Sequence, residues 1–231
     1  MIRACFSCAS PQTIVAIEWW AAEITALMAG RVSDDVSTNK DGLSAMALGA
    51  TIEMPCNMIL GSIFSAISTR VSNELGAGRS IGAKRAAVCG MMISLTAALL
   101  LSSSLLIFKE SISAAFTSEK RIIILVESLM LPTSLYMFFA AICCSFEGIA
   151  LGSGRQTSGA FFVIIAYFVI GLPVSWLFGM HYGLGVYGLT IGRVIGKSIQ
   201  SSLYGYLCLR TDWDEQVKRA SKQHNSQKKE D

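Results

Sequence analysis

The chain has 231 residues, 52% of them hydrophobic and 15% charged, with a mean hydropathy of +0.52. A water-soluble domain carries about a quarter charged residues, and a net charge of +3 is too small to suggest a nucleic-acid partner. The charges gather between uncharged runs near the ~20 apolar residues that cross a bilayer, so the sequence predicts an all-α fold, a polytopic membrane bundle of six transmembrane helices.

The first twelve residues read as a short cytoplasmic lead. Pro11 and Glu18 interrupt what an apolar signal-peptide core would require. Cys5 and Cys8 have the spacing of a metal or redox pair, but no second pair or nearby histidine completes four ligands. Six spans follow within a lobe covering residues 13–209: Thr13–Ala29, Leu43–Thr69, Ala86–Phe108, Ile122–Ile149, Ala160–Met180 and Leu184–Leu209. Polar stretches such as "GRVSDDVSTNKDG", "RVSNELGAGRSIGAKR" and "KESISAAFTSEKR" separate them. Residues 210–231 form a polar tail expected to fray into a surface helix. Cys56, Cys89, Cys143, Cys144 and Cys208 lie within apolar segments, where a thiol behaves as a small hydrophobe.

Orientation follows the basic residues. Arg70, Arg79, Lys84, Arg85, Arg155 and six in the tail fall on one side; Arg31, Lys40, Lys109, Lys120 and Arg121 fall on the other. Short basic loops stay cytoplasmic, which places both termini there, as an even number of spans requires. Pro55, Pro132 and Pro173 lie inside spans, where a freed carbonyl must find another partner. Such prolines occur both in plain kinks and in the bent helices that line transporter cavities. Gly188, Gly192 and Gly196 recur every four residues and predict a close helix–helix seam.

Ionisable residues inside spans need a reason, because a charge at mid-bilayer costs about 2.5–3.5 kcal/mol or more. In "AIEWWAAEIT", Glu18 and Glu23 lie about 140° apart around a helix and roughly 7.5 Å along it, so both cannot face lipid cheaply. Either they line a cavity, or a shallow first span lets both reach the headgroups, an alternative that the interfacial preference of Trp19 and Trp20 supports. A carboxylate lining such a cavity can exchange a proton and pair with a cationic substrate. Glu53 lies deep in the second span. Glu147 closes the fourth and is expected at the cytoplasmic surface, and Glu127 near the outer headgroups. Arg193 and Lys197, one turn apart, bring positive charge into the sixth span; they snorkel, pair with a glutamate or face water, with no pairing assignable.

Four ordered motifs carry a family resemblance: "EWWAAEITALMAG" (residues 18–30), "STRVSNELGAG" (68–78), "GIALGSGRQTSGA" (148–160), and "IGLPVSWLF" with "LRTDW" towards the end. Together they resemble spans seven to twelve of the eukaryotic multidrug and toxic-compound extrusion (MATE) transporters. The resemblance implies one lobe, the C-terminal one, of a twelve-span secondary transporter. Such a transporter is a proton-coupled antiporter exporting organic cations or other xenobiotics. Its partners would be the lipid bilayer, the substrate, protons and a second six-helix lobe, in the plasma or the vacuolar membrane. The family's acidic positions in span seven fall on Glu18 and Glu23; its acidic position in span ten falls on Ala140. Trp19, Trp20, Glu53, Arg193 and Lys197 are candidates to line the cavity.

A non-transporting half that pairs with a full-length transporter or a separate N-terminal lobe is the alternative. Catalysis is not expected, since His181 and His224 are not placed to form a nucleophile–base pair at membrane depth. No G-x-x-x-x-G-K-[ST] phosphate loop is present. Neither a cofactor nor a metal is expected.

Overall fold

The structure, a computed structural model, describes residues 11–32 and 36–218. The N-terminal Cys5 and Cys8 and the tail beyond residue 218, with His224, lie outside them. Helix α1 spans Pro11–Ala29, α2 Val36–Gly76, α3 Ser80–Ile107, α4 Lys109–Phe116 and α5 Lys120–Gly152. Helix α6 runs unbroken through Gln156–Val163, Ile164–Gly171, Leu172–Trp176 and Leu177–His181. Helix α7 spans Gly185–Leu209, and a short α8 covers residues 213–218. The described residues contain no strand.

The polar flanks predicted as loops are largely helical. Helix α2 has 41 residues, about 60 Å at 1.5 Å per residue, twice the ~30 Å of a bilayer core. Most of "STRVSNELGAG" is its last turns. These persist because Val71 and Leu75 keep an apolar stripe that packs against Ala83 and Ala87 of α3, Ile149 of α5, and Trp213 and Val217 of α8. Glu74 is buried there between the guanidinium groups of Arg70 and Arg79, at 3.0 and 2.9 Å.

Two inter-helix turns are built alike. "LGAGR" closes α2 and "LGSGR" closes α5. In each, the arginine N–H reaches back to a carbonyl five residues earlier and the second glycine N–H to one three earlier. This is the Schellman arrangement, whose C′ residue must be left-handed. Gly78 and Gly154 have φ of +75° and +71°, which explains the glycine at each place. Arg155 then donates to the Leu207 carbonyl and the Thr211 hydroxyl, so both turns and the end of α7 gather at one end of the bundle. Among the described residues, Arg70, Arg79, Lys84, Arg85, Arg155 and Arg210, which the sequence assigned to one side of the membrane, share this end of the fold.

Helix α5 runs through the middle, packed along α2, α3 and α7. Its Leu129, Met130, Met137 and Ala141 meet Ile52 and Leu60 of α2, Ala98 and Leu105 of α3 and Leu189 of α7. Both α2 and α5 continue as helix through Pro55 and Pro132. Pro173 has a different outcome. Its missing N–H and its ring disrupt the turn before it, and it lies in the five-residue α-helical piece between two stretches of wider π turns. Across α6 and α7 the glycine seam forms as expected. A Cβ at Gly188 would sit 2.5 Å from the Phe178 carbonyl, and one at Gly192 would strike the backbone of Ser175. Ser175 donates across the seam to the Leu189 carbonyl at 3.0 Å.

Among the described residues, four helices are long and apolar enough to cross a membrane: Thr38–Gly76, Ser80–Ile107, Lys120–Gly152 and Gly159–His181. Two more of the six expected spans are helices of the bundle that are not among those four. Helix α7 is interrupted by Arg193, Lys197 and Gln200, and α1 carries Glu18 and Glu23. The surface is inverted relative to a soluble protein. Met92, Leu99, Leu100 and Ile107 of α3 face outward, while Glu53, Lys197, Gln200, Thr133 and Ser134 are buried.

Candidate functional site

The site is organised by one face of α7. Arg193, Lys197 and Gln200 fall at i, i+4 and i+7, so successive turns stack them within about 60° of one another over roughly 10.5 Å. The glycine seam occupies a neighbouring face and presses α7 onto α6. The polar face is thereby left to meet α1, α2 and α5.

Each of those helices brings one carboxylate. Glu53 of α2 accepts a two-pronged hydrogen bond from Arg193, Nη1 to Oε1 at 3.2 Å and Nη2 to Oε2 at 2.7 Å. This fork geometry matches two guanidinium donors to two carboxylate oxygens. The same guanidinium lies 4.7 Å from the centre of the Tyr136 ring on α5, a cation–π contact. Glu18 of α1 has Lys197 Nζ at 3.2 Å from both oxygens, with the lysine side chain 6% exposed and the glutamate 23%. Gln200 Nε2 donates to Glu18 Oε1 as well, and at 2.8 Å to Oε1 of Glu147 on α5. The Cys143 thiol donates to the same Glu147 oxygen at 3.3 Å. Tyr167 of α6 lies beside Lys197 and Tyr136 and closes the cluster from the remaining side.

Helices α1, α2, α5, α6 and α7 therefore converge on a chain of contacts running Tyr136–Arg193–Glu53 and Lys197–Glu18–Gln200–Glu147. The arrangement holds cations against carboxylates in the bundle interior, and its acids outnumber its bases by one. A buried charge is tolerated only when it is paired and hydrogen-bonded, which accounts for the fork at Glu53 and the two donors on Glu18. Cys144 and Cys208 donate to the Leu60 and Phe146 carbonyls, so those thiols serve packing between helices.

The sequence candidates separate into two groups. Glu18, Glu53, Arg193 and Lys197 come together as two ion pairs. Glu23 is exposed, away from the cluster, and Trp19 and Trp20 are 69% and 68% exposed. Glu147 corrects the sequence-based expectation. It does not sit apart at a cytoplasmic surface; it turns inward to Gln200 and Cys143, because α5 is the central helix and its last turns are enclosed by α7. Ala140, which stands where the family's span-ten acid falls, is a buried core residue. Gln200, Tyr136 and Cys143 were not singled out from sequence. The signal for Gln200 was its place seven residues after Arg193. Tyr136 and Cys143 carry no comparable local signal.

A second feature lies at the opposite end of the bundle from the basic turns. Ala29, Val32, Gly42, Leu125, Leu184 and Tyr187 line a largely apolar cavity of about 320 Å³. None of its lining residues is charged.

Comparison with known proteins agrees with this architecture. Protein DETOXIFICATION 14 of Arabidopsis thaliana is 29% identical over 208 residues, covering 90% of this chain and 42% of its own length. Human Multidrug and toxin extrusion protein 2 is 30% identical over 223 residues, covering 96% and 36% respectively. The chain thus spans less than half the length of these curated relatives. The crystal structure of the eukaryotic MATE transporter AtDTX14 matches with a TM-score of 0.85 at 28% identity, over 91% of this chain and 46% of that one. The crystal structure of a MATE P26A mutant, at 16% identity and a TM-score of 0.72, shares the fold. The model of the MatE family covers residues 13–177, from α1 into α6, and the chain belongs to that family.

Proposed function

We propose that this chain is the C-terminal lobe of a proton-coupled antiporter that exports organic cations or other xenobiotics. In this reading residues 13–209 form six transmembrane helices, preceded by the short lead and followed by the polar tail. Both termini are cytoplasmic, and the membrane is the plasma or the vacuolar membrane. The observation that carries the reading is Glu18, a carboxylate of an apolar helix turned into the bundle and held by Lys197 and Gln200. An ionisable group kept inside a membrane bundle marks a substrate, ion or proton path by default.

The chemistry is a competition for one carboxylate. A cationic substrate reaching Glu18 displaces Lys197 as its counter-charge, and a proton arriving on the acid releases the substrate. Glu23 and the indole faces of Trp19 and Trp20 lie on the exposed side of α1, open to a second six-helix lobe, where aromatic faces and a carboxylate attract a cation. Similarity to the human multidrug and toxin extrusion protein supports export.

Alternating access requires two lobes rocking about the bound substrate. Residues 1–231 alone are therefore expected not to transport, and co-expression with a first lobe from a relative to restore it. The test is efflux of a fluorescent organic cation from vesicles under an imposed proton gradient. Glu18→Gln and Glu23→Gln, singly and together, are expected to abolish gradient-dependent efflux. Robust efflux that survives loss of both carboxyl groups refutes the mechanism. A second reading, favoured by the span of less than half the length of its relatives, is a non-transporting half that pairs with a full-length transporter. Co-purification with such a relative, without efflux of its own, distinguishes it.

A further inference from the structure

The interior cluster contains three carboxylates and two cations. Glu53 is matched by Arg193 and Glu18 by Lys197. Glu147 is left with neutral hydrogen-bond partners, Gln200 Nε2 at 2.8 Å and Cys143 Sγ at 3.3 Å. The charged and titratable groups that face it are Lys197 and Tyr204 from α7, Glu18 from α1, and Cys143 and Cys144 from its own helix. Lys197, the single cation among these, already contacts both oxygens of Glu18. A third negative charge in the bundle interior has no counter-ion, and an uncompensated buried charge is the expensive case. A proton on Glu147 removes it.

Gln200 supplies an independent observation. Its side chain is fully buried, its Nε2 is shared between Glu18 and Glu147, and its Oε1 accepts no hydrogen bond. A primary amide both donates and accepts, and a buried acceptor without a donor calls for an explanation. An O–H on Glu147 is the donor that Oε1 lacks. It is reached by turning the amide about its last side-chain torsion, which leaves Nε2 free to bond Glu18.

We propose that, while Lys197 holds Glu18, Glu147 is the carboxyl group of this lobe that takes up and releases a proton. Gln200 is the positioning residue that couples its protonation to the Glu18–Lys197 pair. The inference deepens the exporter reading and rests on it only for the use to which the proton is put. In the step itself, a proton from water adds to a Glu147 oxygen and the Gln200 amide turns to accept from the new O–H. Nε2 then bonds Glu18 alone, and loss of the proton to water reverses each change.

The test is an infrared pH titration of the full chain in lipid nanodiscs, following the carboxylic C=O band of slowly deuterating, interior acids. The wild-type chain is expected to show one such titrating band. Glu147→Gln, isosteric and still able to bond Gln200, is expected to lose it, whereas Glu18→Gln, which frees Lys197 to face Glu147, keeps the band and moves its titration to lower pH. Gln200→Met is expected to shift its frequency without removing it. Lys197→Met, which strips Glu18 of its counter-ion, is expected to roughly double its amplitude. A band at full strength in Glu147→Gln, or no titrating band in the wild-type chain, overturns the proposal. If Glu147→Gln does not fold, an unchanged band in both Lys197→Met and Gln200→Met overturns it equally. The readout does not require transport: a Glu147 band without gradient-driven efflux when a first lobe is co-expressed sinks the exporter reading and leaves this one. Efflux with a band that survives Glu147→Gln does the reverse.

Discussion

Arg193→Met removes the cation that Glu53 was folded against. The Glu53 residue is 5% exposed, and both of its oxygens are bonded to the guanidinium, at 3.2 and 2.7 Å. Breaking a buried pair by deleting one partner leaves an uncompensated charge and costs about 3–5 kcal/mol. Loss of the Tyr136 ring contact at 4.7 Å adds about 0.5–2 kcal/mol. Replacing both members with apolar side chains removes the stranded charge, so Glu53→Met with Arg193→Met is expected within about 1 kcal/mol of the parent, or above it. The measurement is denaturant unfolding of the purified chain in mixed micelles, followed by tryptophan fluorescence and run for both single variants and the double. A single variant within about 0.5 kcal/mol of the parent, the range of an ordinary surface change, refutes the claim that this pair is a buried charge couple. A double variant no more stable than Arg193→Met refutes it too.

Gly192→Ala is expected to abolish recovery of monodisperse protein, because its Cβ would lie 2.6 Å from the Ser175 Cα and cannot be accommodated without parting α6 from α7. Gly61→Ala, with nothing within 4 Å, is the matched control, expected to gain up to about 1 kcal/mol from reduced chain freedom in the unfolded state. Gly78→Ala and Gly154→Ala meet no neighbour but must hold a left-handed backbone. Each is expected to cost about 1–2 kcal/mol in the same unfolding assay, with the two losses additive, since the turns are separate.

Much of the fold was legible in the chain because hydropathy and helical periodicity are local properties. Uncharged runs of bilayer length marked the helices, the four-residue spacing of Gly188, Gly192 and Gly196 marked a seam, and the basic residues marked one end. Helix ends were legible less well. Val71 and Leu75 extend α2 through a polar loop motif by packing on residues of α3, α5 and α8, partners that a local reading of the motif does not contain. Glu18, Glu53, Arg193 and Lys197 were identifiable as misplaced charges, since any charge within an apolar run stands out.

Sequence by itself determined that these charges had to be resolved, because water-free surroundings leave an ion no cheap way to stand alone. Only the tertiary structure decided with whom each one pairs. Arg193 meets Glu53 across 140 residues of chain and Lys197 meets Glu18 across 179, distances at which no periodicity carries information. The same is true of Glu147, whose place at the end of an apolar run reads as an exit to the surface. The central position of α5 turns it inward instead, onto an amide from α7 that no local pattern links to it.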